Sequence, residues 1–334
     1  MKIGIVGLGS VGGFLGARLA RSGAQVCALA RGATLAAVRA RGLTLIEQNG
    51  ASVTVPLKVS DDAAELGVQD LLVLTVKTTG LIDVAAQLAP LIGPDTRILS
   101  AMNGIPWWFF DGFAGKRDNL NAKPLVSVDP TGELARRLPA RQVIGCVTHL
   151  SCSTPQPGVV QQKMGERLII GEPGGGDPEH NASCAASMAM LRTAGFQVEA
   201  SQCIQEDIWY KLWGNMTVNP ISAITGATGD RILDDADVKD YMSRCMLEAA
   251  QVGERIGLPI GMTPEERHVV TRKLGAFKTS MLQDVEAGRP IELDALLASV
   301  IEIGQRVNVA TPNLQALMGL TRLTARGRGL YPPA

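Results

Sequence analysis

The sequence predicts an α/β protein, with a doubly wound parallel sheet in the N-terminal domain and an all-helical C-terminal domain. Two observations support this fold class. Strand and helix patterns alternate over the first part of the chain, and helical periodicity without strand signals takes over from about residue 203. The length of 334 residues also exceeds the usual single-domain size of roughly 100 to 200 residues. We therefore expect domains of residues 1–202 and 203–334.

The first turn between a strand and a helix carries a nucleotide-binding fingerprint. The apolar strand Ile3–Val6 leads into Gly7-x-Gly9-x-x-Gly12 and then into a helical pattern, and QVCALA supplies the second strand. Gly7 permits the tight turn, Gly9 lets the backbone approach a pyrophosphate, and Gly12 lets the helix pack closely on the strand. The phosphates would then lie at the helix N-terminus. The residues expected around them are Gly7, Leu8, Gly9, Ser10, Val11 and Gly12. These signals together predict a Rossmann-type domain.

The residue after the second strand distinguishes the two nicotinamide cofactors. An acidic residue there would accept a hydrogen bond from the ribose of NAD, but this chain has Arg31. A guanidinium group can pair with the 2′-phosphate of NADP, which a carboxylate would repel. No Asp or Glu precedes Glu47 in the sequence. The sequence therefore favours NADP over NAD, with a solvated surface arginine as the alternative.

Two polar residues follow later strands of the predicted parallel sheet. LTLIE, SVTVPLKVS, DLLVLTVK and RILSAMNG are predicted as strands, and LIDVAAQLAPLI as a helix. Lys77 and Asn103 come at the carboxyl ends of their strands, where open parallel sheets bind ligands. Both are candidate site residues. An ordinary exposed lysine and a simple Asn-Gly turn are the alternatives.

The overall composition excludes several classes of partner. The chain balances 32 basic residues against 32 acidic ones, which argues against a nucleic-acid or membrane-surface partner. It has no apolar run of about 18 residues and no signal-peptide pattern, so we expect a cytoplasmic protein. The six cysteines and three histidines lack metal-ligand spacing. We expect buried free thiols and no metal site, and leave a homodimer open.

Residues 107–141 interrupt the alternating pattern. WWFFDGFAG holds five of the thirteen aromatic residues in the chain. We interpret the segment as an inserted flap or interface. An aromatic cluster more often forms core or subunit contacts than a platform for a cofactor. The C-terminal segment RLTARGRGLYPPA is basic and rich in Gly and Pro, so we expect it to be frayed.

A line of polar residues runs along one predicted helix of the second domain. In KLWGNMTVNP, Lys211, Asn215 and Asn219 are spaced four residues apart, which places them on one helix face. Their neighbours are apolar, and three uncompensated polar groups in a buried helix would be costly. Pro220 directly after Asn219 predicts a kink or a local end of the helix. A solvated helix stripe is the alternative.

A second polar group lies in KTSMLQDVEAGRPIELDAL. Ser280 opens a helical segment, and Glu292 follows the turn from Gly288 to Pro290. Without further context, Glu292 and Asp294 could be acids in the first turn of the next helix, where the helix dipole favours them.

These motifs together resemble the ketopantoate reductase (2-dehydropantoate 2-reductase) family. The resemblance runs almost from end to end and is carried by GIVGLGSVGG, Arg31, LLVLTVKT, MNG, KLWGNMTVNP and KTSMLQDVEAGRPIELD. The first of these motifs is shared by many unrelated dehydrogenases, whereas the last two are fairly specific to this family.

The resemblance implies reduction of 2-dehydropantoate (ketopantoate) to pantoate with NADPH. Lys211 would be the general acid, and Glu292 would accept a hydrogen bond from the substrate hydroxyl. Asn215 and Asn219 would bind substrate oxygens, and Ser280 would help to hold the carboxylate. Lys77 and Asn103 would border the nicotinamide side, with Asn103 also near the substrate. The substrate would bind in a cleft between the two domains.

Two departures from the family pattern concern substrate identity. The family's Asn-Gly pair after Asn219 is replaced by Gly229-Asp230, and the aromatic insertion is absent from compact members. A relative that reduces another 2-oxo acid therefore stays an alternative. Two further alternatives are a 3-hydroxyacid or opine dehydrogenase, and a sensor or scaffold that binds NADP without turnover.

Overall fold

The protein is described by a computed structural model that covers residues 1–113, 120 and 124–333. Contacts between residues divide the chain into two compact units. The first contains Met1–Met102, Asp111–Phe113 and Glu133–Ile204. The second contains Asn103–Phe110, the described residues between 114 and 132, and the chain from Gln205 onward. The segment that begins at Asn103 therefore belongs to the second unit.

The first unit is built on one sheet. Its strands are β1 (Lys2–Val6), β2 (Gln25–Leu29), β3 (Leu43–Ile46), β4 (Ser52–Val55), β5 (Lys58–Ser60), β6 (Gln69–Leu74), β7 (Ile92–Ser100), β8 (Val143–Gln156), β9 (Val159–Gly171) and β10 (Gln197–Ala200). Its helices are α1 (Ser10–Arg21), α2 (Gly32–Arg41), α3 (Thr78–Ala85), α4 (Glu133–Arg137) and α5 (Ala182–Thr193). Within the described ranges the strand order is β4-β3-β9-β8-β7-β6-β1-β2-β5, with β10 beside β9.

The centre of this sheet is parallel, which confirms the predicted α/β class. Strands β5, β2, β1, β6, β7 and β8 are paired in parallel in that order. Val6 is in register with both Leu29 and Leu74, and Leu74 with Ser100. Because of this register, the strands β1, β2, β6 and β7 end at one edge of the sheet. The loops that carry Gly7, Arg31 and Lys77 start at this edge.

Some predicted elements differ in extent from the observed ones. SVTVPLKVS splits into β4 and β5 at Pro56, because proline lacks the N–H donor that a ladder needs. Strand β9 runs without a break from Val159 to Gly171 and is antiparallel to β8. The helix predicted over LIDVAAQLAPLI lies earlier, at Thr78–Ala85, and the residues before Pro90 leave the α-helix.

Helix α1 is anchored to the sheet by a buried arginine. The Arg18 guanidinium donates to Glu47 at 2.9 Å and to Glu166 at 2.8 Å, and it lies 4.7 Å from the centre of the Phe14 ring. Arg21 also donates to Glu47, at 2.8 Å. Part of the basic excess in the first forty residues is therefore neutralised within the fold, while the helix that follows the glycine turn is held in place.

The second unit is helical, as predicted. Its helices are α6 (Ile204–Thr225), α7 (Gly229–Asp234), α8 (Ala236–Ile256), α9 (Pro264–Arg272), α10 (Ser280–Glu286), α11 (Ser299–Arg306) and α12 (Pro312–Gly327), with a π-helical turn at Asp294–Ala298. A capping box between Thr263 and Glu266 starts α9. Among the described residues, no helix has the length and apolar character needed to cross a membrane.

Helix α6 continues through Pro220, so of the kink or local end that the sequence predicts at this residue, the local end does not occur. Five further residues stay helical, up to Thr225. A proline inside a helix costs about 3 kcal/mol or more in exposed contexts. Pro220 and its neighbours Asn219 and Ile221 are buried, so packing on the surrounding helices offsets the missing backbone hydrogen bond.

The described aromatic residues of this segment are buried in the core, one of the two roles that aromatic clusters more often have. Trp108 and Phe109 are each 1% exposed. The Phe109 ring lies 6.3 Å from that of Trp209 in α6, and the Phe109 carbonyl accepts a hydrogen bond of 3.2 Å from Gln205. Residues 114–119 and 121–123 of the predicted insertion lie outside the described residues.

The C-terminal segment is packed and hydrogen-bonded, which corrects the predicted frayed tail. Leu330 is 5% exposed, and its N–H donates to the Ala325 carbonyl at 2.8 Å. The Arg326 side chain donates to the Pro332 carbonyl and lies over the Tyr331 ring. The apolar Leu330 and the aromatic Tyr331 anchor a segment whose Gly and Pro content suggests disorder.

Candidate active site

The glycine turn after β1 has the geometry that an anion-binding helix start requires. Gly7 has a φ of +94°, which favours glycine. A side chain at Gly12 would collide with the Gly7 carbonyl and Thr75, whereas one at Gly9 would meet nothing within 4 Å. Gly12 therefore lets α1 pack closely against the Gly7 turn and Thr75, and the space beside Gly9 is open to a ligand.

The N-terminus of α1 leaves its backbone donors available. Gly9 is the N-cap, with no side chain that caps the helix, and the first turn holds no acidic residue. Ser10 and Val11 are half-buried, so their N–H groups can serve a phosphate. Leu8 is 6% exposed in the apolar core, so only its backbone is available to a ligand.

Thr75 fixes this turn and was not singled out from the sequence. Its hydroxyl group lies 3.0 Å from the Val6 carbonyl and 2.8 Å from the Gly7 carbonyl, and donates to them. Thr75 stands in LLVLTVKT directly after β6, in the same loop as Lys77. A hydroxyl residue at the end of a buried strand next to the glycine turn is the signal that could have revealed it.

Arg31 and Lys77 both stand at the N-caps of helices that leave the sheet edge. Arg31 is exposed before α2, and Lys77 is half-buried before α3. The Gly7 N–H donates to the Leu29 carbonyl at 3.2 Å, so the strand that leads to Arg31 borders the glycine turn. Among the described residues, Arg31 has no ion-pair partner, so its charge is available to an anionic ligand.

The polar line of α6 exists as the spacing predicts. Lys211 and Asn215 are half-buried, and Asn219 is 4% exposed. Within the described part of the chain, no hydrogen-bond partner is found for the Asn215 or Asn219 side chains. A buried amide without a partner is costly, so Asn219 is a candidate group for binding a polar ligand. A solvated stripe would not bury Asn219.

Lys211 is paired with Asn103. Its ammonium group donates a hydrogen bond of 2.8 Å to the Asn103 side-chain oxygen. Asn103 follows β7 in the chain but packs in the second unit, beside α6. Gly104 has a φ of +80°, so the turn needs the permissive residue that the sequence supplies.

The same turn packs against the segment that contains Glu292. The Ile105 N–H donates to the Ala295 carbonyl at 2.8 Å, and a side chain at Gly104 would lie 2.5 Å from that oxygen. Ala295 belongs to the π-helical turn, a rare form that often occurs at functional sites. Glu292 is half-buried just before this turn. The Asn103 turn therefore contacts both Lys211 and the Glu292 segment.

Ser280 lies at the start of one further helix. Gly229, where the chain differs from the family's Asn-Gly pair, lies at the start of another. Ser280 is the exposed first residue of α10, which Thr279 caps by accepting from the Leu282 N–H. Gly229 donates its N–H to the Phe277 carbonyl at 3.0 Å, and a side chain at Gly229 would collide with the Phe277 ring. Glycine at this position therefore serves packing against the loop before Ser280.

Arg267 of α9 is a second cation against α6 that sequence reasoning missed. Its guanidinium lies 4.8 Å from the centre of the Tyr210 ring, and Nη1 donates to the Tyr210 hydroxyl at 3.3 Å. A side chain at Gly214 would lie 2.7 Å from Nη2. The glycine in KLWGN therefore makes room for this guanidinium, one residue before Asn215.

Comparison with known proteins identifies the family. The family described as Ketopantoate reductase PanE/ApbA matches residues 3–175, and its C-terminal counterpart matches residues 203–325. A 2-dehydropantoate 2-reductase from Mesorhizobium japonicum is 40% identical over 332 residues, which cover 99% of this chain and 100% of the relative. The chain belongs to the ketopantoate reductase family. It is therefore an oxidoreductase, as predicted.

Solved structures of the ketopantoate reductase family have the same fold. A candidate ketopantoate reductase from Ralstonia solanacearum is 52% identical, with a TM-score of 0.94 and 99% of both chains covered. D-mandelate dehydrogenase, solved with NADH and anilino(oxo)acetate, is 20% identical with a TM-score of 0.84, and 99% of this chain and 100% of that one are covered. The latter similarity concerns the fold alone. Family membership supports a nicotinamide cofactor.

Among the described residues, no group of three or more His, Cys, Asp or Glu side chains could hold a metal ion. Five of the six cysteines are buried, and Cys203 is half-buried. Burial raises the pKa of Cys184 to about 11, which keeps this thiol protonated and unreactive at neutral pH.

Proposed function

We propose that this protein reduces a 2-oxo acid with NADPH, and that its main substrate is ketopantoate, which becomes pantoate. Residues 1–202 would bind the cofactor, and residues 203–334 would supply the substrate groups. The observation that carries the proposal is the hydrogen bond of 2.8 Å between Lys211 and Asn103, on the same helix face as Asn215 and Asn219, whose side chains have no hydrogen-bond partner among the described residues. The names of the curated relatives support the same substrate.

The glycine turn and Arg31 suit NADPH. The open space beside Gly9 and the uncapped start of α1 suit the pyrophosphate. The exposed Arg31 would pair with the 2′-phosphate, and Lys77 would lie near the nicotinamide side. When bound, NADPH supplies the hydride to the substrate carbon.

Lys211 would act as the general acid. Its ammonium group donates to Asn103 and would also donate to the ketone oxygen, on which negative charge builds up during the reduction. Lys211 would stabilise this charge and then transfer a proton to the oxygen, which becomes the product hydroxyl.

The remaining polar groups would bind and orient the substrate. Asn215 and Asn219 would donate to substrate oxygens, since neither side chain has a partner among the described residues. Ser280 would donate to the carboxylate, and Glu292 would accept a hydrogen bond from the substrate hydroxyl. Recognition of a hydroxyl by a placed acceptor discriminates strongly against analogues that lack it.

Three alternative functions can be distinguished from this one. A family member that reduces another 2-oxo acid is favoured by the replacement of the family's Asn-Gly pair with Gly229-Asp230. An NADP-binding sensor or scaffold would need no general acid, so the Lys211–Asn103 pair argues against it. A 3-hydroxyacid or opine dehydrogenase would oxidise hydroxy acids or opines in preference to reducing 2-oxo acids.

A panel assay tests the proposal. NADPH and NADH oxidation would be followed by absorbance with ketopantoate, 2-oxoisovalerate, phenylglyoxylate and pyruvate, and the reverse reaction with matching hydroxy acids. We expect the highest kcat/KM for NADPH with ketopantoate. A higher value for another 2-oxo acid would support the first alternative, and cofactor binding without turnover of any compound would support the second.

We also propose a homodimer, because a ketopantoate reductase from Staphylococcus aureus is described as dimeric. Light scattering after size exclusion would measure the mass in solution. A mass equal to that of the single chain of 35.3 kDa would contradict this part of the proposal.

A further inference from the structure

The segment that carries Glu292 is held by the C-terminal tail on both sides of this residue. The Ile291 N–H donates to the Leu330 carbonyl at 3.1 Å, just before Glu292. The Tyr331 hydroxyl donates to the Asp294 carboxylate at 2.5 Å, just after it. Leu330 and Tyr331, two consecutive residues of the tail, therefore hold the chain on both sides of Glu292. The proposed function gives the Glu292 carboxylate the role of accepting a hydrogen bond from the substrate hydroxyl.

Packing fixes the remaining freedom of this segment. Ile291 is 1% exposed and Leu293 is not exposed, so the two side chains that flank Glu292 point into the core. Glu292 between them is half-buried and thus accessible from one side. The hydrogen bonds at Ile291 and Asp294 hold the backbone on both sides of Glu292, and with it the position from which the carboxylate projects.

The contact between Tyr331 and Asp294 is more directional than a packing contact. Burial raises the pKa of Asp294, while the hydrogen bond from Tyr331 opposes that rise. Apolar residues could fill the same volume without the cost of desolvating a carboxyl group. A polar pair at this position gives a defined geometry, which a site for a single hydroxyl group needs.

We propose that Tyr331 is a positioning residue for Glu292, acting through Asp294 and the short stretch Ile291–Leu293 that leads into the π-helical turn. The inference rests on the proposed function, because it gives Glu292 the role of hydroxyl acceptor. Directly after Asp294, the Ala295 carbonyl accepts a hydrogen bond from the Ile105 N–H, two residues after Asn103. The tail and the Asn103 turn therefore both hold this short stretch.

Two substrates that differ by one hydroxyl group separate positioning from general stability. Trimethylpyruvate is ketopantoate without its hydroxyl, so only ketopantoate can contact Glu292 in the proposed way. Tyr331→Phe keeps the ring and removes the hydrogen bond to Asp294. We expect this variant to raise KM for ketopantoate about tenfold, the usual effect of one hydrogen bond to a charged group. KM for trimethylpyruvate should stay within about twofold of the wild-type value.

Tyr241→Phe is the matched control. The Tyr241 hydroxyl donates to the Asn313 carbonyl at 2.7 Å in the same unit, between α8 and α12. Removing it should lower the melting temperature without changing the ratio of the two KM values. Glu292→Gln, which keeps the side-chain shape, should show the same substrate discrimination as Tyr331→Phe.

The possible outcomes separate the two proposals. A wild-type protein that does not reduce ketopantoate, or a Glu292→Gln variant that affects both substrates equally, refutes the proposed function of the site and this inference with it. If Glu292→Gln discriminates but Tyr331→Phe changes both KM values equally or neither, the positioning role of Tyr331 is refuted and the proposed function stands.

Discussion

The Lys211 ammonium group donates a hydrogen bond of 2.8 Å to the side-chain oxygen of Asn103, which lies 108 residues earlier in the chain. The Asn103 turn also binds the π-helical turn after Glu292 through Ile105. The two groups with proposed catalytic and hydroxyl-binding roles are thus connected by a single short loop.

Loss of the Lys211 amine should remove most of the activity. Lys211→Ala is expected to lower kcat about 10²- to 10⁴-fold, the usual contribution of a positioned acid. Steady-state kinetics would measure the effect, and circular dichroism would check the fold. Lys239→Ala, an exposed lysine on α8, is the control and should keep full activity. Unchanged turnover in Lys211→Ala would remove the assigned mechanism.

Loss of the Asn103 amide should act through Lys211. Asn103→Ala is expected to lower kcat about tenfold, because the ammonium group loses the acceptor that orients it. In the Lys211→Ala background the same change should have little further effect, since residues that act as a unit are not additive. Independent, multiplying effects in this double-mutant cycle would show that the contact has no catalytic role.

Arg31 should determine cofactor preference. Arg31→Ala is expected to raise the Kd of NADPH about 10- to 100-fold, since a charge-assisted contact to the phosphate is lost, and to leave the Kd of NADH almost unchanged. Fluorescence titration of both cofactors would measure this. Arg41→Ala removes an exposed cation from the other end of α2 and should alter neither value. Equal weakening for both cofactors would refute the phosphate contact.

Loss of the Thr75 hydroxyl should weaken the binding of NADPH and NADH alike. Thr75→Val keeps the side-chain shape but removes the hydrogen bonds to the Val6 and Gly7 carbonyls. We expect a loss of about 1 kcal/mol in the free energy of unfolding, because the Gly7 carbonyl loses the hydroxyl donor while the Val6 carbonyl keeps the Thr75 backbone N–H. Binding of NADPH and NADH should weaken by similar factors, in contrast to Arg31→Ala. Weakening of NADPH alone would show that Thr75 does not act through the glycine turn.

Glu302 should stabilise the second unit above acidic pH. Burial alone would raise its pKa, but hydrogen bonds from the side chain and backbone of Ser127 and from the Val126 N–H lower the pKa below the ordinary 4.5. A lowered pKa in the folded state gives stability that is present above the unfolded value and is lost as the pH falls through the folded one. Glu302→Gln should therefore be less stable than wild type at neutral pH.

This difference between Glu302→Gln and wild type should shrink as the pH falls below 4.5, in urea unfolding at a series of pH values. Glu254→Gln, on the exposed face of α8, is the control and should show no such trend. A constant difference across the pH range would contradict the role of ionised Glu302.

Local sequence patterns were sufficient for much of the fold. The strand before Gly7 and the helix after Gly12 could be predicted because apolar spacing and glycine placement act over a few residues. The boundaries that differ lie mainly at Pro56 and Pro220. Proline split a predicted strand at the first position and was tolerated within a buried helix at the second, since packing there offsets its cost.

The sequence by itself determined the glycine turn, the cation at Arg31 and the face shared by Lys211, Asn215 and Asn219. All of these follow from helical or strand periodicity over a few residues. Only the tertiary structure decided that Asn103 pairs with Lys211, that Thr75 holds the Gly7 turn, and that Tyr331 holds Asp294. Such contacts join residues far apart in the chain, and they form only when the packing of whole elements brings the two partners within hydrogen-bond distance.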